Sequence, residues 1–269
     1  MPRVTTAKTL RIDWYDTPRW YDIVFDVGTA READFLEEMA QKHGPARRAR
    51  RLRVLEPASG SGRLVAELAR RGHTVTGFDL SDAMLDFARE RLAQRGLSAR
   101  LSKNDMADFA FRGPFDLAHC LVSTFKYLLD EQSARSHLEC VASALVPGGI
   151  YVLGFHLSDY AQEGVVRERW VETRGGVTVT CNTQLAAPDR RTRLEAVRTR
   201  LAVAKDSGDL RTETHWKFRA YDARQVRRLF ASVPALELVA LHDFTYDASR
   251  TRDLTDDQLD CVFVLRRRI

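Results

Sequence analysis

The chain has only four cysteines in 269 residues, and Cys120, Cys140, Cys181 and Cys261 stand far apart. No zinc site or CxxC redox centre can be built on that spacing, so reduced, mostly buried thiols are expected. Long apolar runs are missing too, none approaching the roughly 20 residues that span a bilayer. The opening "MPRVTTAKTLRIDWYD" holds no apolar stretch followed by a small-residue cleavage site, so a cytoplasmic, non-membrane protein is expected. There is no internal repeat, no low-complexity linker and no cluster of His and carboxylates that would call for a metal. Lysine is scarce against arginine. The net charge of +5 rests on scattered arginines, with short clusters only at "ARRARRLR" (46–53) and "RRR" (266–268). That pattern suits a solvated surface better than a phosphate-binding track.

What is present is a soluble globular composition, 44% apolar and 29% charged, in a chain long enough for one large domain. From residue 29 to 155 helix-like and strand-like segments alternate, which demands a mostly parallel sheet with helices on both faces. Thr29 and Glu32 read as a capping box opening the first helix. "RLRVLEP" (51–57), "TVTGFD" (74–79), residues 98–102, "FDLAHC" (115–120) and "IYVLGF" (150–155) read as strands, the last after a Pro147-Gly148-Gly149 turn. Ser81 caps the helix after the second strand. From about 165 to 219 the period changes to two, with turns at Gly175-Gly176, Pro188-Asp189 and Ser207-Gly208, which implies an antiparallel sheet. Asp222 and Gln225 then cap a helix before two closing strands.

The expected fold is therefore α/β: a Rossmann-like, mostly parallel seven-stranded sheet with an antiparallel β insertion after strand five. The organisation is one domain, with an N-terminal lid and first helix (1–45), a cofactor-binding core (46–157), an insertion covering the acceptor (158–220) and a C-terminal helix with the last two strands (221–269).

"LEPASGSGR" (55–63) is a glycine turn after a strand, where nucleotide cofactors sit. The dinucleotide fingerprint needs a third glycine where Val65 stands, and no G-K-[ST] follows for a P-loop. What remains is Glu56, then Ala58, Gly60 and Gly62 at alternate positions, and a second acid, Asp79, ending the next strand. A carboxylate at Asp79 suits ribose hydroxyls, and Glu56 would repel a pyrophosphate but welcome an ammonium group.

These residues resemble the class I S-adenosylmethionine-dependent methyltransferases, through Glu56-Pro57-Ala58-Ser59-Gly60-Ser61-Gly62, "GFDLSDAML", "NDMADF" (104–109), "FDLAHCLVSTFKYLLD" (115–130) and "LVPGGIYVLGF" (145–155). The likeness covers about residues 15 to 155, with Ala58 in place of the family's commonest first glycine. It implies that Gly60 and Gly62 let the backbone approach S-adenosylmethionine and that Glu56 holds the methionine amino group. It implies further that Asp79 binds the ribose, Leu80 packs on adenine, and Asp105 and the Met106 N–H read the adenine edge. Cys120 and Leu121 would pass beneath the methionine tail, and the product would be S-adenosylhomocysteine.

The segment after strand four, "CLVSTFKYL", lacks the [DN]-P-P-[YF] that grips a flipped base and lacks a Pro-Cys nucleophile. This points away from nucleic acid and toward nitrogen or oxygen of a small-molecule acceptor. RNA ribose or ring-nitrogen methylation stays open as an alternative, as does a noncatalytic module that binds S-adenosylmethionine; a homodimer is left open too. "DWYDTPRWYDIVFD" looks like the tyrosine-rich lid of small-molecule methyltransferases, with Tyr15 and Tyr21 as lid residues and Tyr21 near the sulfonium. His156, at the carboxyl edge of the sheet, is the candidate base, while His119 reads as core. Tyr160, Trp170 and His215 are further candidates to line the acceptor side.

Overall fold

The computed structural model describes residues 9–45, 51–111, 113–206 and 208–269. Most of the 46–53 basic run and Ser207 of the expected turn lie outside them. The chain enters through β1 (Thr9–Arg11), a 3-10 turn at Trp14–Asp16, α1 (Pro18–Phe25) and α2 (Thr29–His43). Strand and helix then alternate through β2 (Arg53–Pro57), α3 (Arg63–Arg70), β3 (Thr74–Asp79), α4 (Asp82–Gln94), β4 (Arg100–Lys103), β5 (Phe115–Cys120), α5 (Glu131–Ala144) and β6 (Leu145–His156). Four long strands follow, β7 (Val165–Arg174), β8 (Val177–Ala186), β9 (Leu194–Ala204) and β10 (Leu210–Arg219), then α6 (Ala223–Ala231), β11 (Leu236–His242) and β12 (Asp260–Arg267).

Seven strands form one sheet in the order β11-β12-β6-β5-β2-β3-β4, parallel except that β12 runs against both β6 and β11. Successive side chains on a strand face opposite sides, so Val54 joins the layer with Leu117, Val152 and Val264, while Leu55 joins Phe78, Leu153 and Phe263. Both layers are covered by helices, which is why these strands are apolar on both faces. Chain order reverses between β2 and β5, so their carboxyl ends open a crevice where open α/β sheets take ligands. The α/β expectation holds.

Three local expectations give way. α2 is preceded by Gly28 at φ 87° and has no side-chain cap. The Thr29 hydroxyl instead donates to the Asp26 carbonyl at 2.8 Å, and Glu32 is taken by buried Arg63 at 2.6 Å. A guanidinium buried beside it competes for that carboxylate more strongly than a local N–H does. The Pro147-Gly148-Gly149 turn does not precede strand five but lies inside β6. Phe115 pairs with Leu145 and Leu117 already with Ile150, so the Pro-Gly-Gly stretch bulges out of an otherwise continuous strand. The insertion sheet is also larger than expected. Its order is β1-β10-β9-β8-β7, and the N-terminal β1 joins β10 in parallel. The caps by Ser81 and by the Asp222/Gln225 pair are present.

A third apolar cluster unites the two ends of this arrangement. Trp14, Ile23 and Val24 pack on Val179, Cys181, Leu201 and Val203. The N-terminal segment therefore lies against the inner face of the second sheet.

Candidate functional site

β2 ends in a turn where Ala58, Gly60 and Gly62 alternate in the left-handed region, at φ 52°, 53° and 68°. The Ser59 N–H donates to the Phe78 carbonyl at 2.9 Å, which fastens the turn to β3. The glycines serve different ends. A Cβ on Gly62 would stand 2.6 Å from Cβ of Ala88, so its absence lets the turn reach α4. A Cβ on Gly60 would meet nothing within 4 Å. Gly60 presents bare backbone to open space, the surface a ligand needs for close approach. Val65, where a dinucleotide fingerprint would have glycine, fills the space over Gly77, whose Cβ would lie 2.9 Å from it.

Asp79 closes β3 beside this turn. Its Oδ2 accepts from the Gly60 N–H at 2.8 Å and its Oδ1 from the Ser81 N–H at 2.9 Å. Burial raises this carboxyl above its ordinary value, against the lowering effect of those N–H groups. Leu80, beside it, leaves 58% of its surface exposed, an apolar platform next to an acid. The Asn104 N–H donates to the Asp79 carbonyl at 3.2 Å, bringing the 104–109 loop alongside. There Asp105 is exposed and caps its own turn through the Ala107 N–H at 2.8 Å. Met106 is buried, its carbonyl accepting from His137 Nδ1 at 2.8 Å.

Glu56 is 7% exposed and its Oε2 has no hydrogen-bond partner. Burial pushes its carboxyl up to about 8, partly opposed by Arg63. A buried carboxylate wants a cation, and an ammonium group is the right size and charge. The residues present thus fit S-adenosylmethionine in three respects: an unpaired acid for its ammonium, bare backbone at Gly60, and an acid with an apolar neighbour for a nucleoside. Cys120 and Leu121 are buried below this surface at the end of β5, with burial pushing the Cys120 thiol up to about 12. The two residues that follow, Val122 and Ser123, are both left-handed, at φ 58° and 60°. Strain of this kind in non-glycine residues gathers at ligand sites.

The N-terminal segment lies over these groups. Tyr15 Oη donates to Tyr127 Oη at 2.8 Å, and the Ser81 hydroxyl reaches the Tyr15 carbonyl at 3.5 Å. Burial raises both Tyr15 and Tyr21, and Asp79 adds to both. An aromatic wall runs from Tyr21 through Tyr15 to Tyr127, and on to Trp216 and Phe218 of the second sheet, with ring centroids 5.1 to 6.1 Å apart.

α1 is held down by charge. Asp22, 0% exposed, accepts from the Ser61 hydroxyl at 2.7 Å, from Arg91 of α4, and from Arg174 of β7 at 2.5 Å. Asp26 accepts from both arginines at 3.1 Å. The sequence gives no sign of this latch, because its members lie up to 152 positions apart.

His156 does not fit the role expected of it. Its Nδ1 meets the Ser123 hydroxyl at 2.9 Å and its Nε2 meets Lys126 Nζ at 2.7 Å. Burial, with Lys126 beside it, pushes the ring down to about 4. With both nitrogens engaged, it offers no lone pair to an acceptor. Lys126, wholly buried, also donates to Glu195 of β9 at 2.8 Å, and burial brings it down to about 8 against the pull of that carboxylate. This ion pair ties the core to the second sheet, and neither member stood out in the sequence.

The other acceptor-side candidates do not converge. Tyr160 bonds Gln225 at 3.3 Å, Trp170 sits on β7 near Phe25, and exposed His215 pairs with Glu213 at 2.7 Å. His119 is core, as expected, 0% exposed.

Residues 54–149 match the model of a family described as "Methyltransferase domain". A curated relative, dTDP-3-amino-3,6-dideoxy-alpha-D-glucopyranose N,N-dimethyltransferase of Streptomyces fradiae, is 28% identical over 203 residues, 75% of each chain. Glycine/sarcosine N-methyltransferase of Halorhodospira halochloris is 30% identical over 138 residues, 50% of this chain and 49% of the relative. Among solved structures, an S-adenosylmethionine-dependent methyltransferase from Clostridium acetobutylicum superposes with a TM-score of 0.75 at 18% identity, covering 95% of this chain and 99% of that one. A sugar N-methyltransferase from Streptoalloteichus gives 0.71 at 18% identity, covering 100% and 98%. At such identity the structures speak for the fold alone.

Proposed function

We propose that the chain, similar over residues 54–149 to a methyltransferase domain and over 75% of its length to an amino-sugar N,N-dimethyltransferase, is a class I S-adenosylmethionine-dependent methyltransferase that methylates the amino group of a small, sugar-like metabolite. The observation that carries the reading is the aromatic wall of Tyr15, Tyr21, Tyr127, Trp216 and Phe218, whose Tyr15 and Tyr21 end lies beside Asp79 and Ser81. Aromatic faces suit the apolar face of a sugar ring, and they favour the positive charge of a sulfonium or a newly methylated amine. Relatives named as amino-sugar N,N-dimethyltransferases support the choice of acceptor.

In this reading Glu56 takes the donor's ammonium group, and Ala58, Gly60 and Gly62 shape the turn that receives it. Asp79 takes the ribose hydroxyls, Leu80 the adenine face, and Asp105 with the Met106 N–H the adenine edge. Cys120 and Leu121 floor the methionine tail, while Tyr15 and Tyr21 close over the sulfur. When bound, the donor would supply a sulfonium methyl group: the acceptor's lone pair would bond to its carbon in line as the carbon–sulfur bond breaks, with the electron pair leaving on the sulfur of S-adenosylhomocysteine. The protein's share is alignment and exclusion of water, worth on the order of 7–11 kcal/mol. An amine that arrives neutral needs no strong base, which agrees with the engaged nitrogens of His156.

The test is transfer from labelled S-adenosylmethionine to a panel pairing each nucleotide-linked amino sugar with its hydroxyl counterpart. Label is expected on the amino sugars only. Transfer confined to the hydroxyl compounds would overturn the choice of nitrogen, and absence of S-adenosylhomocysteine binding would overturn the donor assignment.

A further inference from the structure

Four histidines of the described residues are less than a tenth exposed: His73, His119, His137 and His242. His73 meets the Leu52 N–H and Glu37, His137 meets the Met106 carbonyl and Tyr151 Oη, and His242 meets the carbonyls of Asp247 and Arg250. His119 alone has neither ring nitrogen partnered. A buried polar group without a partner costs stability and calls for an explanation.

The explanation stands beside it. β2 and β5 are neighbours with Val54 opposite Leu117 and Leu55 opposite Ala118, so the next step along both strands sets Glu56 by His119. Nε2 of His119 lies 3.8 Å from Oε2 of Glu56, and both atoms are buried and unpartnered. That gap is too long for a hydrogen bond, and a small rotation of either side chain closes it. We infer that His119 is a positioning residue for the methyl donor: when the donor's ammonium group meets Glu56, His119 Nε2–H donates to the Glu56 carboxylate and fixes the direction in which it faces.

The inference rests on the reading that Glu56 takes the ammonium group. Other groups face Glu56 as well: Arg63 from α3, Glu32 from α2, Asp79 from β3 and the Cys120 thiol from β5. Arg63 is already committed to Glu32 at 2.6 Å and to the Thr29 hydroxyl at 3.0 Å. The Val65 N–H of α3 also bonds Glu56, and among the groups that face it His119 is the one with neither of its nitrogens partnered. As the ammonium group binds, Glu56 gives up its proton to solvent and the ion pair forms within the crevice; His119 stays neutral throughout.

The experiment is calorimetric binding of two probes, S-adenosylhomocysteine and 5′-methylthioadenosine, the second sharing the nucleoside but lacking the amino group. Wild type is compared with His119→Leu, His119→Gln and Glu56→Gln across pH 6 to 9, in buffers of different ionisation enthalpy. Because burial raises Glu56, wild type is expected to release more protons on binding S-adenosylhomocysteine near neutral pH than on binding methylthioadenosine. His119→Leu should weaken S-adenosylhomocysteine by about tenfold to a hundredfold, the loss of one hydrogen bond to a charged group. It should leave methylthioadenosine unchanged, and His119→Gln, which keeps an N–H donor, should recover most of the loss. Where the leucine variant does not fold, His119→Asn, too short to reach Glu56, takes its place. Equal loss for both probes, or no loss for either, overturns the inference while leaving Glu56 in place if Glu56→Gln still weakens S-adenosylhomocysteine alone. Unchanged binding in Glu56→Gln overturns the reading of Glu56 and the inference together.

Discussion

Asp22→Asn should loosen the protein far more than a surface change of the same size. Asparagine keeps the shape of the side chain but removes the charge that Ser61, Arg91 and Arg174 share. Arg91 is 6% exposed, so stripping its main anion leaves a buried cation, a loss of about 3–5 kcal/mol when uncompensated. Asp26 remains within 3.1 Å of it and reduces that figure. Arg174 is 44% exposed, and its share is about 1 kcal/mol or less after solvent screening. These terms are not additive within one network, and a net loss of about 3 kcal/mol is expected. For a chain of this size that lowers the midpoint of thermal unfolding by roughly 6–12 °C. Because Ser61 belongs to the glycine turn, S-adenosylhomocysteine affinity should fall as well. Differential scanning calorimetry with and without that ligand reads both. A midpoint within about 1 °C of wild type would refute the claim that Asp22 latches α1 to the core.

Three further outcomes follow from the same geometry. Asp79→Ala removes charge-assisted hydrogen bonds worth roughly 1.5–3 kcal/mol, so calorimetry should show S-adenosylmethionine binding about tenfold to a hundredfold weaker. Ala58→Gly relieves a left-handed alanine at φ 52°, a strain of about 1–2 kcal/mol, against about 0.4–1 kcal/mol of added freedom in the unfolded chain. The denaturation midpoint should rise slightly, and a fall would count against the strained turn. His137 is buried, and burial pushes it down to about 4, whereas the unfolded chain titrates near about 6.5. As the pH falls between those values the unfolded chain takes up a proton that the folded chain refuses, so stability falls, by about 2 kcal/mol from pH 7.5 to 5. Urea titrations of His137→Gln should show a pH slope shallower by that amount.

The parts legible in the sequence are those set by neighbours along the chain. The turn from Glu56 to Gly62, the acid at Asp79 and the caps at Ser81 and Asp222 are local patterns, and the alternation from 165 to 219 announced its strands. What sequence could not show depends on partners far away. Glu32 left its capping box for Arg63, a residue 31 positions on. β1, three residues long, carries too little pattern to be read as a strand and exists because β10 offers an edge. His156 looked like a base from its place at the strand end, but only the fold brings Lys126 and Ser123 to its two nitrogens. Lys126 and Glu195 lie 69 positions apart, and only the laying of β9 over the core brings them together.

The pairing of β1 with β10 has a consequence for turnover. Backbone hydrogen bonds at residues 9–11, the Trp14 N–H donating to the Thr214 hydroxyl at 3.1 Å, and Arg174 gripping α1 join the N-terminal segment to the second sheet. On the proposed function, the cover over the donor and the cover over the acceptor would therefore be one panel, and the two substrates would share one door. Spent donor would then leave only when the acceptor is also free to go. An acceptor that takes two methyl groups should then be released after the first, and with acceptor in excess the singly methylated product should accumulate before the doubly methylated one.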